Sequence, residues 1–215
     1  MREPITAVVL AGGASRRMGR EKALLALPDG APAIAHVLAV AHLVADPVLV
    51  AVDTAEHAAR LRREAHLEAE RFLLDRYPGA GPLGALAGAL RAVATPAILA
   101  LAVDTPLLQS QVLCRLHEVF VARRVDVVMP RVGGIPQPMP AVYGTNLATR
   151  AEHLLAGGRR SVRALCDEPT VRMQVMDEDE VRAVDPDLRS FAGANTPEEW
   201  QRVLALAANR APPET

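Results

Sequence analysis

Apolar residues fall along this chain in two kinds of run. Short runs that are apolar or nearly so throughout, at residues 5–11 (ITAVVLA), 48–52 (VLVAV), 72–74 (FLL) and 97–103 (AILALAV), predict strands. Continuity rather than alternation is what a sheet covered on both faces needs. Between them, apolar positions recur at helical spacing over 32–44, 54–70, 82–93 and 106–121. Pro32 suits a first helical turn and Thr54 suits a cap. A further strand is predicted at 126–129. Strand, helix, strand, helix at this spacing implies right-handed βαβ units and a mostly parallel sheet.

The second half is less regular. Residues 133–140 read as a Gly/Pro/Gln loop, 142–144 as a short strand and 146–155 as a helix. A basic turn at 157–160 precedes a helical 161–166 and an extended 171–175. Thr196 caps a last helix over 197–208, with Glu198 and Glu199 in its first turn, where carboxylates suit the helix dipole. No repeat or linker interrupts the pattern. The expectation is therefore one α/β domain over residues 1–208, a Rossmann-like three-layer α/β/α sandwich, followed by a frayed tail at 209–215.

Composition narrows the function classes. The chain has 215 residues, 50% of them hydrophobic, enough for a sizeable core. A formal net charge of -1 and 3% aromatics argue against nucleic acid as a partner, which calls for a basic surplus and stacking platforms. A small phosphorylated ligand needs only a few local cations and stays open. Two cysteines, Cys114 and Cys166, are too few for a disulfide framework or a four-ligand zinc site and read as reduced, largely buried thiols. No run reaches 18 apolar residues, so no membrane association is expected, and the location expected is the cytoplasm. The six histidines show no metal-ligand spacing, Trp200 reads as a packing residue, and Ser161 with His153 lacks the setting of a hydrolase nucleophile.

Candidate chemistry gathers at predicted strand ends. The segment LAGGASRRMGREK, residues 10–22, follows the first strand with Gly12-Gly13 and then Arg16, Arg17 and Lys22. Glycines let backbone N–H groups approach an anion, and the cations suit phosphate. The spacing is neither Gly-x-Gly-x-x-Gly nor a Walker loop. Three strands end in Asp: Asp53, Asp75 and Asp104. If the strands are parallel, all three share the sheet edge where ligands of doubly wound folds bind. Asp104 could hold a hard divalent cation that also binds phosphate oxygens. It could equally cap a helix starting at Pro106, and the residues alone leave both readings open. Gly79, Gly81 and Pro82 then open a helix of small residues against which a base or ribose could lie.

These residues resemble a known signature. LAGGASRRMGREK is similar to that of the molybdenum cofactor guanylyltransferases, the MobA family. Asp75 with Gly81-Pro82-Leu83, Asp104-Thr105-Pro106, Gln137-Pro138 and Asn195-Thr196-Pro197-Glu198-Glu199 follow in the family's order. The resemblance spans residues 5–207. It implies a nucleotide-diphospho-sugar-transferase-like fold and transfer of GMP from GTP to the terminal phosphate of molybdopterin, with Mg²⁺ and release of pyrophosphate. Carried over by position, it implies nucleotide contacts at Leu10, Ala11, Gly12, Gly13, Lys22, Asp53, Asp75 and Asp104. Catalytic charge would come from Arg17, Lys22 and Asp104, with Asp104 holding the metal. Gln137, Pro138 and Asn195 would lie on the acceptor side, where the basic turn of Arg159, Arg160 and Arg163 could help receive a pterin phosphate. Transient contact with molybdoenzymes or cofactor chaperones goes with such a role. The family often has Asn where Asp53 stands, which trades an amide donor for negative charge. Gly13 favours guanine, since the cytidylyl branch typically shows Leu-Ala-Ala-Gly. A cytidylyltransferase, another phosphorylated acceptor, and a catalytically silent nucleotide-binding partner of molybdoenzymes are the competing expectations.

Overall fold

The computed structural model describes residues 3–12 and 21–209. Its elements run β1 (Thr6–Leu10), a 3₁₀ turn (Lys22–Leu24), α1 (Ala33–His42), β2 (Val48–Val52), α2 (Ala55–Ala65), β3 (Arg71–Leu74), α3 (Gly81–Ala92), β4 (Ala97–Ala102) and α4 (Ser110–Arg123). There follow β5 (Val127–Val132), β6 (Ile135–Pro136), β7 (Ala141–Gly144), α5 (Ala148–Ala156), α6 (Val162–Cys166), β8 (Met173–Met176), α7 (Glu178–Arg182) and α8 (Pro197–Ala208). The strands form one sheet in the order β3-β2-β1-β4-β7-β5-β6, with β8 paired to β5. β3, β2, β1 and β4 are parallel neighbours, while β7 runs antiparallel to β4 and β5.

Side chains of successive strand residues point to opposite faces, and here both faces are covered. Ala7, Val9, Leu99 and Leu101 join Ile34, Leu61 and Leu113 in one buried cluster. Val8, Ile98 and Ala100 join Leu83, Leu86 and Leu165 in the other. Burying each such leucine contributes about 1.5–3 kcal/mol, which is why the strands carry no polar face. The three-layer expectation holds. A third cluster, with Leu27, Leu107, Ala194, Trp200 and Val203, seats α8, so Trp200 packs as expected. The α8 cap has the reciprocal form, Thr196 accepting from the Glu199 N–H while the Glu199 carboxylate accepts from the Thr196 N–H.

Four local expectations change. α2 ends at Ala65, not at residue 70, because His66 takes a left-handed conformation (φ 55°) and closes the helix onto the Arg62 carbonyl. Leu67 then turns into the core. α4 starts at Ser110, not Pro106, because Leu107 and Leu108 are drawn inward and the Gln109 N–H donates to Ser190 Oγ (3.0 Å). The stretch expected to be a loop at 133–140 begins as a hairpin: Gly133 and Gly134 (φ 58° and 77°) make the tight turn between β5 and β6. Cys114 and Cys166 are half-buried thiols rather than largely buried ones, and burial pushes Cys166 up to about 11. Among the described residues, no helix is long and apolar enough to cross a membrane.

One buried carboxylate ties the irregular half together. Asp126 accepts from Asn146 Nδ2 (2.9 Å), from the Arg172 N–H (2.9 Å) and from Arg172 Nη2 (3.0 Å), pinning the start of β8 beside the turn after β7. The Arg172 hydrogen bond holds its carboxyl at about 2, below the ordinary 3.8. A lowered folded-state value means stability that is present above the ordinary value and is lost as pH falls through about 2. The contribution is on the order of 2 kcal/mol at neutral pH, and less to the extent that water screens the exposed Arg172. Asp126→Asn should therefore lower urea-unfolding stability at pH 6, and the gap to wild type should narrow at pH 3. A gap independent of pH would contradict the assignment.

Candidate active site

The parallel register sets the site. Leu10 pairs with Ala51 of β2 and Ala102 of β4, and Val52 with Leu74 of β3, so four strands end nearly level. The residues just past those ends are Gly12, Asp53, Asp75 and Asp104, and all four line one cleft of about 530 Å³. Lys22, on the 3₁₀ turn, closes it from one side. Gly79, Gly81 and the small-residue face of α3, Ala85 and Gly88, close it from another. Leu10 and Ala11 form part of the floor. Of the other predicted site residues, Gly13, Arg16 and Arg17 lie outside the described residues.

Lys22 and Asp104 are 82 residues apart in sequence and meet here. Lys22 Nζ donates to Asp104 Oδ2 (3.1 Å) and to Asn195 Oδ1 (2.7 Å). The side chains of both ions are partly covered, at 17% and 29% exposure, so the pair is screened less than a surface pair. Asn195 is brought in because the Ala194 N–H donates to the Asp104 carbonyl (3.1 Å). Since α4 starts only at Ser110, Asp104 does not cap a helix, and the capping reading falls.

Asp75 is held by its own turn: its N–H donates to the Val52 carbonyl (2.8 Å), and its Oδ1 accepts from the Tyr77 N–H (2.8 Å). Tyr77 Oη in turn donates to Glu152 (2.7 Å), which also pairs with Arg91. The Arg91 and Tyr77 hydrogen bonds hold Glu152 at about 2, and Glu152 raises Tyr77. The adjoining loop is clamped by Arg160, whose guanidinium donates to the Gly79 carbonyl (2.6 Å). Arg160 therefore shapes the cleft's rim. Gln137 and Pro138 are not on the cleft wall. Gln137 Nε2 donates to the Ile135 carbonyl (3.1 Å), and the Pro138 carbonyl accepts from Tyr143 Oη (2.8 Å). Their neighbour Met139 lines the cleft instead.

The family model described as MobA-like NTP transferase domain matches residues 7–174. The chain belongs to the MobA-like NTP transferase family. It is 34% identical over 197 residues to a probable molybdenum cofactor guanylyltransferase of Mycobacterium avium, covering 88% of this chain and 96% of the relative. It is 34% identical over 210 residues to a molybdenum cofactor guanylyltransferase of Burkholderia vietnamiensis, covering 94% and 95%. In fold it is similar to molybdopterin-guanine dinucleotide biosynthesis protein A from Archaeoglobus fulgidus, with a TM-score of 0.84 and 23% identity over 95% of this chain and 100% of that one. The chain is thus a nucleotidyltransferase by family.

Two residues at this cleft have no counterpart among the sequence-predicted site residues. Glu21 lines it beside Lys22, and His57 stands behind Asp53, its Nδ1 2.6 Å from Asp53 Oδ1. The available signal was the spacing: Asp53 and His57 are four apart across a capped helix start, a distance that brings side chains together.

Gly81 gives a direct test of the rim. It sits at φ 70°, and a Cβ there would meet the Arg160 carbonyl at 3.3 Å. Gly81→Ala should cost about 1–2 kcal/mol through strain at a left-handed position. Thermal melting reads that cost, and an unchanged melting temperature would contradict it.

Proposed function

We propose that this chain transfers GMP from GTP to the terminal phosphate of molybdopterin, releasing pyrophosphate. The observation that carries the reading is the meeting of Lys22, Asp104 and Asn195 at a cleft whose lining includes Gly12, Gly79, Gly81, Asp53 and Asp75. The names borne by the full-length relatives supply the base and the acceptor. A cytoplasmic setting goes with this reading.

In the reaction, an oxygen of the acceptor phosphate forms a bond to the α-phosphorus of GTP. The bond from that phosphorus to the α–β bridging oxygen breaks, and its electron pair leaves with pyrophosphate. The acceptor is already anionic, so no strong base is needed, and positioning and charge neutralisation do the work. Gly12 has no side chain between the β1 end and the β2–α2 turn, where a Cβ would reach 3.5 Å from the Asp53 nitrogen, so a ligand can approach the backbone there. Lys22 offers its ammonium to the triphosphate. Ala85 and Gly88 leave a shallow surface for the nucleoside. Arg17 adds charge by resemblance.

Asp104 fits Mg²⁺. It is a hard oxygen donor at the cleft mouth, and this ion characteristically uses one or two carboxylates with substrate phosphates and water. When bound, the ion would neutralise phosphate charge. Until then Asp104 keeps Lys22 in place.

Incubation of the protein with each NTP, Mg²⁺ and molybdopterin, followed by mass spectrometry of the product, tests the reaction. The guanine dinucleotide is expected, and a cytosine dinucleotide would overturn the base assignment. Asp104→Asn should slow single-turnover transfer by ~100-fold or more, on the order of 3 kcal/mol, with melting unchanged. A rate within about threefold of wild type would remove Asp104 from the reaction. Lys22→Ala should weaken GTP binding by roughly 10–100-fold, the loss of one charge-assisted hydrogen bond to phosphate. Equal affinity in a direct titration would place Lys22 outside the triphosphate site.

A further inference from the structure

The cleft is built with more acid than a triphosphate would tolerate bare. Asp53, Asp75, Asp104 and Glu21 all line it. Asp104 is matched by Lys22, and Asp75 is engaged by the backbone of its own turn. Asp53 has a half-exposed side chain, and among the described residues the cleft wall holds no cation apart from Lys22. Its partner comes from behind. His57 Nδ1 lies 2.6 Å from Asp53 Oδ1, and His57 Nε2 meets Glu21 Oε1 on its other side. Arg60, one helical turn further along α2, also pairs with Glu21. His57 itself is fixed by the helix start, where its backbone N–H donates to the Thr54 cap (3.0 Å).

We propose that His57 is a positioning residue for the nucleotide wall of the cleft, bridging Asp53 and Glu21 so that Asp53 can stand beside a bound triphosphate. It is not on the cleft wall and acts through its two carboxylate neighbours. Through Asp53 it sets the charge that faces the nucleotide. Through Glu21 it anchors the residue next to Lys22, and so couples α2 to the turn that carries the cation. The two ring nitrogens point to different carboxylates, so one rigid side chain contacts both acids at once. The inference rests on the reading of the cleft as a nucleoside triphosphate site.

Equilibrium titration with fluorescent analogues of GTP and of the other NTPs tests it, alongside KM and kcat for dinucleotide formation. His57→Ala should weaken binding of the GTP analogue and raise KM by about tenfold, with kcat within about threefold of wild type. Asp53→Asn added to His57→Ala should recover most of the lost affinity, because the amide removes the carboxylate charge left without its ring partner. A purely structural His57 would show no such rescue. His42→Ala, whose ring pairs with Glu70 away from the cleft, should bind like wild type. Should His57→Ala not fold, His57→Gln carries the same comparison. Affinity of the His57 variant within about twofold of wild type, or failure of Asp53→Asn to restore it, would overturn the proposal. A wild-type protein that binds no NTP would instead overturn the functional reading.

Discussion

The cleft depends on one constraint: four parallel strands hydrogen-bonded in a register that ends them nearly level. Leu10, Ala51 and Ala102 are mutual neighbours across β2, β1 and β4, and β3 extends the row by pairing Leu74 with Val52. Parallel pairing requires a crossover after each strand, and those crossovers are the helices that cover the sheet. The same covering makes the strands apolar throughout. Polar residues are thereby pushed to the strand ends, so burial and site-building follow from a single requirement. Gly12, Asp53, Asp75 and Asp104 reach one cleft without any of them being adjacent in sequence.

That coupling explains what was legible in the residues. The strand ends and their acids could be read because a buried parallel strand is an uninterrupted apolar run with a sharp polar boundary. β2 coincides with its predicted span. The errors fall where packing overrides local pattern. Nothing local stops the charged run 54–70 at Ala65, because the left-handed residue that ends it is His66 rather than glycine. Residues 106–109 look helical, yet Leu107 and Leu108 are drawn toward the core and α4 waits until Ser110. That difference mattered chemically, since it withdrew from Asp104 the capping role that competed with ligand binding.

The site's electrostatics were less legible than its residues. Sequence spacing shows which acids share an edge but not which are paired. In the folded chain the acids of the cleft have unlike partners: an ammonium at Asp104, a backbone N–H at Asp75, and one imidazole shared by Asp53 and Glu21, with a guanidinium also at Glu21. A carboxylate near a bound polyanion costs energy unless its charge is matched or shared with a cation that the ligand also uses. Among the described residues, only the Lys22–Asp104 pair places both charges on the cleft wall, where the oxygens of the proposed triphosphate could compete for the ammonium. The Asp53 and Glu21 pairings reach behind the wall to α2 and set its shape.

The C-terminal part of the chain bears on the same pair. The family match ends at residue 174, yet the cleft mouth is finished by residues 193–195. Gly193 lies so close to the turn after β4 that a Cβ would meet the Asp104 carbonyl and Thr105 Cγ2 at 3.4 Å each. The next residue, Ala194, is hydrogen-bonded to that carbonyl and buried in the cluster that seats Trp200. Asn195 can therefore reach Lys22 because α8 is docked, and α8 docks through Trp200 and Val203, which are not among the residues lining the cleft. The position of the ammonium thus depends on packing at the opposite end of the sequence. The capped start of α8 places Asn195 directly ahead of Thr196, so the motif's conformation and its reach toward Lys22 are consequences of the same helix start.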